Sequence, residues 1–396
     1  MNPFHKGRRV GLAALMLLML VAGAARAQSP LQVTVILPLT GNGAFLGQGQ
    51  QRTLQALQAQ VNKDGGVGGR QLEFVYRDDQ SSPQVTVQLT NAAVAQRPAV
   101  LLGSSLVAMC NAMVPLVRNG PFTYCLSPAI QPAAGGYMYS SGTSTHDLLA
   151  ADFRYFRSRG WTRVALISST DATGQDFQNG VNAALRMPDN AGIQIVENAR
   201  FNQTDVSVSA QMERIRAADP QVLVTWTTGG PIATVFKGIV QAGLNIPVMT
   251  TNGNQIFEQM DQYAEFLPRE LYIATSLFPP HEGRLTYEPG VEQAQQRFYT
   301  AMNEAKIGID NRAALAWDAA NLLVEALQKL GPGATAAQVK AHMEGLTGWA
   351  GISGIYDFRQ VPSRGLGIAN AVVTRWDPAA RLWTVVSRPG GEPLTP

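Results

Sequence analysis

The sequence predicts an α/β protein of two doubly wound lobes, each a parallel sheet covered by helices. Three observations carry this. Short apolar runs alternate with longer amphipathic ones from Leu31 onward, and the alternation restarts near His146. The chain has 396 residues, whereas single hydrophobic cores stop growing at roughly 250–300.

The first series reads as strand 33–37, helix 47–63, strand 71–77, helix 83–96 and strand 100–102, then a short helix after Gly103 and strand 122–126. In the first helix Leu54, Leu57 and Val61 recur three and four apart, one buried stripe. Gly65-Gly66-Val67-Gly68-Gly69 ends it, because glycine accepts positive φ without penalty. The second series reads as helix 146–159, strand 163–167, helix 176–185, strand 193–201, helix 206–218, strand 222–225, helix 231–242 and strand 247–250. Strand 271–276 leads into Phe278-Pro279-Pro280 and an extended polar segment. Helices 291–305, 312–330 and 336–344 follow, and short aromatic strands 371–376 and 382–386 close the chain. No repeat of 20–50 residues is visible, which argues against a solenoid.

The N-terminus reads as a secretory signal peptide. His5, Lys6, Arg8 and Arg9 precede an apolar run from Val10 to Ala24, and Ala25-Arg26-Ala27 is a small-x-small site predicting cleavage after Ala27. The run is about fifteen residues, short of the roughly 20 that span a bilayer. Removing residues 1–27 takes Lys6, Arg8, Arg9 and Arg26 from the 31 basic residues and none of the 28 acidic ones, leaving a net charge of −1. That charge offers nothing to nucleic acid or an anionic membrane. The only two cysteines, Cys110 and Cys125, are too few for a disulfide scaffold or a four-ligand metal site. Both fall at the carboxyl edge of their strands, which predicts one disulfide.

No catalytic constellation is apparent. His146, His281 and His342 lack metal-site spacing, Ser353 lacks a nucleophile elbow, and Asp78-Asp79 open a loop as solvated, capping acids do. Gly41-Asn42-Gly43 and Gly47 are one residue off a dinucleotide fingerprint, so no cofactor and no metal is expected. Five further segments follow strands in the same way: 103–108, 127–130, 169–174, 227–231 and 251–254. Parallel sheets bind ligands at the carboxyl ends of their strands, so six such loops over two lobes point to a cleft between them.

These segments resemble the type I periplasmic solute-binding proteins of ABC transporters, in particular leucine/isoleucine/valine-binding proteins. The carriers are Val35-Ile36-Leu37-Pro38-Leu39-Thr40-Gly41, the run from Val61 through Asn62-Lys63-Asp64 and the glycines to Arg70, Asp78-Asp79, and Leu126-Ser127-Pro128-Ala129. Asp219-Pro220 and the run Gln241-Ala242-Gly243-Leu244-Asn245-Ile246-Pro247 add to them. The resemblance covers residues 31–386. It implies two Rossmann-like lobes joined by three crossovers, near 141–145, 275–279 and 347–354. Lobe one would be 31–143 plus 278–347, and lobe two 144–277 plus 348–390. It also implies a periplasmic, non-enzymatic protein that captures a small ligand and delivers it to a membrane permease.

In the amino-acid binders a serine after the third strand and a threonine after the Ser-Pro turn help hold the α-carboxylate. An acid pairs with the α-ammonium and a tyrosine flanks the ligand. The matching positions here are Val107, Ile130, Asn252 and Thr173, with Ser105 in a position to replace Val107. Ala108, Ala129, Thr228 and Gly229 complete the strand-end loops, and Phe45, Leu46 and Phe278 are candidates for the apolar wall. An ammonium buried without its counter-charge is costly. The expected ligand is therefore a carboxylate lacking an α-ammonium, aromatic or branched aliphatic, or a neutral amide. The alternatives are a branched-chain amino-acid binder in which Asp171 supplies the missing acid, and a sensory module reporting to a membrane receptor.

Overall fold

The computed structural model describes residues 29–277 and 285–394; the expected signal peptide, Phe278 and His281 lie outside the described residues. The first sheet holds β1 (Leu31–Leu37), β2 (Leu72–Asp78), β3 (Val100–Leu102), β4 (Phe122–Cys125) and β5 (Met138–Ser140), ordered β2-β1-β3-β4-β5 and wholly parallel. Parallel neighbours need crossovers, and α1 (Ala44–Lys63), α2 (Pro83–Ala95) and α3 (Val107–Met113) supply the first three. The glycine turn after α1 works as its sequence suggests. Gly66 has φ +75°, and a Cβ there would lie 2.0 Å from the Arg70 carbonyl oxygen.

The second series begins with α4 (Thr145–Ser158), capped by Ser144, whose hydroxyl accepts from the Asp147 N–H at 3.0 Å. Strands β6 (Arg163–Ser169), β7 (Gln194–Phe201), β8 (Val222–Trp226), β9 (Val248–Thr250) and β10 (Leu271–Ser276) pair in parallel as β10-β9-β8-β6-β7. Between them run α5 (Ala172–Leu185), α6 (Ser209–Ala217), α7 (Ile232–Gln241) and α8 (Phe257–Gln262). Helix α5 starts four residues before its expected Asp176, because the Asp171 carboxylate accepts from the Gly174 N–H at 3.1 Å and nucleates an extra turn.

The chain then returns to the first lobe. Helices α9 (Pro289–Glu304), α10 (Asn311–Leu330) and α11 (Ala336–Gly345) bury Phe298, Trp317, Leu323 and Val339 in one core with Val35, Leu54 and Tyr124. A hairpin of β11 (Thr347–Gly351) and β12 (Gly354–Asp357) follows where a crossover was expected. This corrects the assignment of residues 348 onward to the second lobe: Ile352, Tyr356, Phe358 and Leu366 bury in the first core. The physical cause is the buried Asp318 of α10, whose carboxylate accepts from the N–H groups of Ile352 and Ser353 and from the Tyr356 hydroxyl, at 3.0, 3.1 and 3.0 Å. Only after residue 366 does the chain rejoin the second sheet. There β13 (Ala371–Asp377) and β14 (Leu382–Val385) add antiparallel strands, giving β14-β13-β10-β9-β8-β6-β7.

Candidate functional site

A small cavity of about 30 Å³ lies between the lobes. Its walls come from the carboxyl ends of parallel strands in both sheets. Leu46 lies in the first turn of α1, Ser105 to Val107 follow β3, and Leu126 to Ala129 follow β4. From the other lobe, Thr173 starts α5, Trp226 ends β8 with Thr228 beyond it, and Thr251 to Gly253 follow β9. Leu315 of α10 completes the lining. This is where open α/β sheets bind ligands.

Of the residues singled out from the sequence, Leu46, Ser105, Val107, Ala129, Thr173, Thr228 and Asn252 line this cavity. Four others stand behind it. Ile130 is buried in a satellite core, Ala108 and Phe45 are half-buried, and Gly229 faces the rim, where a Cβ would lie 2.2 Å from the Asn42 carbonyl oxygen. Leu106, Ser127, Pro128, Thr251 and Gly253 line the cavity from loops expected at the cleft, whereas Leu126, Trp226 and Leu315 line it without having been anticipated.

No described lining residue is Asp, Glu, Lys, Arg or His. Among the described residues the wall therefore carries neither a counter-charge for an ammonium nor an acid or base to move a proton. Among the described residues no group of three or more His, Cys, Asp and Glu could hold a metal ion. Two of the lining side chains carry buried donors without a protein acceptor. Asn252 Oδ1 accepts from the Thr251 hydroxyl at 3.4 Å, but Asn252 Nδ2 has no partner. Trp226 stacks on Phe177, ring centres 4.9 Å apart, and its indole Nε1–H is also unpartnered. A tryptophan can only donate, and leaving such a group buried and unpaired is costly. Ser105 contributes less than expected: its hydroxyl donates to Gln50 Oε1. Asp171 is committed as well, accepting from the Ser169 hydroxyl at 2.5 Å, Gly174 N–H at 3.1 Å and Gln203 Nε2 at 2.8 Å.

Cys110 in α3 and Cys125 at the end of β4 form a disulfide, Cα atoms 6.2 Å apart. Where the chain passes between lobes, the Ser276 hydroxyl accepts from the Thr143 N–H at 3.1 Å and donates to the Thr143 hydroxyl at 3.2 Å. Arg364, buried in the segment after the hairpin, donates to the carbonyls of Gly142 and Ile130 at 3.1 and 2.6 Å. Burial lowers its pKa to about 10, which leaves it charged at neutral pH.

A doubly wound pair of lobes with a cavity at facing strand ends is the architecture of a ligand-capturing protein. The chain belongs to the periplasmic binding protein family, whose model matches residues 30–381. It is 32% identical over 84 residues to a Leu/Ile/Val-binding protein homolog 2 of Brucella abortus (strain 2308), a match spanning 21% of this chain and 23% of that relative. Its fold is similar to an extracellular ligand-binding receptor of Rhodopseudomonas palustris HaA2, with TM-score 0.78, 19% identity, and coverage of 90% of this chain and 100% of that one. It is also similar to an ABC-transporter solute-binding protein of R. palustris in complex with benzoate, with TM-score 0.76, 19% identity, and coverage of 92% and 97%.

Proposed function

We propose that this exported protein captures a small carboxylate without an α-ammonium group, aromatic or branched aliphatic, and delivers it to an ABC-transporter permease. The observation that carries this reading is the chemistry of the cavity wall. Among the described residues it bears no charged side chain, and two of its buried donors, Asn252 Nδ2 and Trp226 Nε1, lack an acceptor. A carboxylate satisfies such donors, while an ammonium brings hydrogens to a wall that already has too many. Thr173, at the start of the fourteen-residue α5, puts the positive end of a helix dipole beside the cavity. Leu46, Val107, Leu126 and Leu315 supply the apolar surface for a ring or branched chain. The benzoate complex of the R. palustris relative shows that a protein of this fold holds an aromatic carboxylate. Asp171 cannot serve an α-ammonium without giving up its three donors.

The test is calorimetric titration of protein refolded free of carried ligand with benzoate, 4-methylpentanoate, leucine and isoleucine. Heat of binding with the first two and none with the amino acids is expected. Binding of leucine or isoleucine with no response to either deaminated acid would overturn the reading. Asn252→Asp restores a buried negative charge, so it should weaken benzoate by at least about tenfold and bring in leucine or isoleucine.

A further inference from the structure

Four charged side chains meet where α1, α8 and the start of α10 converge. Asp310 caps α10, and its side chain is 1% exposed; Arg312, two residues on, is 5% exposed. Arg312 Nε donates to both Asp310 oxygens at 2.9 and 3.0 Å, and its Nη1 donates to the Phe45 carbonyl at 3.1 Å. Its Nη2 pairs with Asp310 and also with Glu258 of α8. The other Glu258 oxygen lies 3.3 Å from Arg52 Nη2 of α1.

The lobes divide this cluster unequally. Helices α1 and α10 bury their apolar faces in the first core, whereas α8 inserts Met260 into the second. Arg312 and Asp310 stay together whatever the lobes do, and within the cluster only Glu258 crosses between them. An exposed ion pair adds little because two long side chains must be ordered to make it. Here the cation is already fixed and desolvated by Asp310 and Phe45, so Glu258 joins a preorganised partner. Burial alone would raise the Glu258 pKa; the charges of Arg312 and Arg52 hold it below the ordinary carboxylate range. The cluster adjoins the cavity through Leu46, next to Phe45, and Leu315, one turn after Arg312.

We propose that Glu258 is a closure latch, drawing α8 of the second lobe onto Arg312 and Arg52 of the first and setting how long the cleft stays shut over its ligand. The proposal rests on reading that cleft as the ligand site. The test compares wild type with Glu258→Gln, an exposed and conservative change, after spin-labelling both at Gln55→Cys in α1 and Gln262→Cys in α8. Both label positions are exposed, and the native cysteines are held in their disulfide. Pulsed electron-electron resonance on ligand-free protein should show a short-distance population that falls in Glu258→Gln and in wild type at about 1 M salt, where the Debye length is about 3 Å. Identical distributions in wild type and variant would overturn the latch. With benzoate as probe, the variant should release it about three- to tenfold faster. If benzoate does not bind at all, the carboxylate reading fails while the ligand-free distances still decide the latch.

Discussion

Asn252 and Trp226 concentrate the specificity argument in two nitrogen atoms. Trp226→Phe keeps the ring that stacks on Phe177 and removes only the indole N–H. It should weaken benzoate by about three- to tenfold, the worth of one hydrogen bond of roughly 0.5–1.5 kcal/mol, with the melting temperature of the ligand-free protein unchanged or raised. Titration calorimetry beside a thermal melt checks both; undiminished benzoate affinity would remove Trp226 from the carboxylate's partners. Asn252 was readable from the sequence because a family position that usually carries an acid stands out when it carries an amide. Trp226 was not, because it falls between the expected strand 222–225 and the expected loop 227–231. It reaches the cavity only because β8 runs one residue past the expected end, to the edge where Thr227-Thr228 begin. The Ser105 hydroxyl shows the converse: its position was legible, but its partner Gln50 is 55 residues away in sequence.

At the scale of elements, the hairpin β11–β12 depends on a single buried carboxylate. Burial raises the pKa of Asp318 to about 6 from 3.8, even though three hydrogen bonds from Ile352, Ser353 and Tyr356 favour its charged form. The folded state therefore binds more protons than the unfolded one between those two values. The stability this adds is fully present below pH 3.8 and is lost as pH rises through 6. Asp318→Asn cannot titrate, so the stability of wild type relative to the variant should fall by about 2–3 kcal/mol from pH 4 to pH 7 in denaturant unfolding series. A pH-independent difference would exclude the effect. Most of the parallel strands and the helices between them were legible because short apolar runs alternate with longer amphipathic ones. The hairpin was not: Gly348, Gly351 and Gly354 give it the composition of a linker, and what makes it a strand pair is a long-range bond to α10. Strand β5, Met138-Tyr139-Ser140, lacks the aliphatic run that marks the equally short β3.

The whole molecule is held with its lobes in contact, and Gly229 shows how close that contact is. Its φ is +76°, and a Cβ would lie 2.2 Å from the Asn42 carbonyl of the opposite lobe. Gly229→Ala should cost roughly 1–2 kcal/mol of stability from the left-handed backbone alone. It should also lower benzoate affinity by at least about tenfold, since the lobes cannot then meet as they do here. Small-angle scattering with saturating benzoate should show a larger radius of gyration for the variant. An unchanged radius with unchanged affinity would mean that the rim yields to a methyl group. Both lobes were visible in the sequence as two βα series, but the point at which the chain finally leaves the first lobe was placed too early. Arg364 belongs to a segment expected in the second lobe, yet it grips the carbonyls of Ile130 and Gly142 beside the cleft.

The cross-link between Cys110 and Cys125 bears on how the protein is prepared. Val107 lies three residues before one half-cystine and Leu126 directly after the other, so two of the cavity's first-lobe walls hang from the same covalent tie. Material made in a reducing cytosol would have those two walls free to move apart while its sheets and helices still form. It would report normal circular dichroism and a weakened ligand affinity, and oxidation after purification would recover the missing affinity without any change in the spectrum.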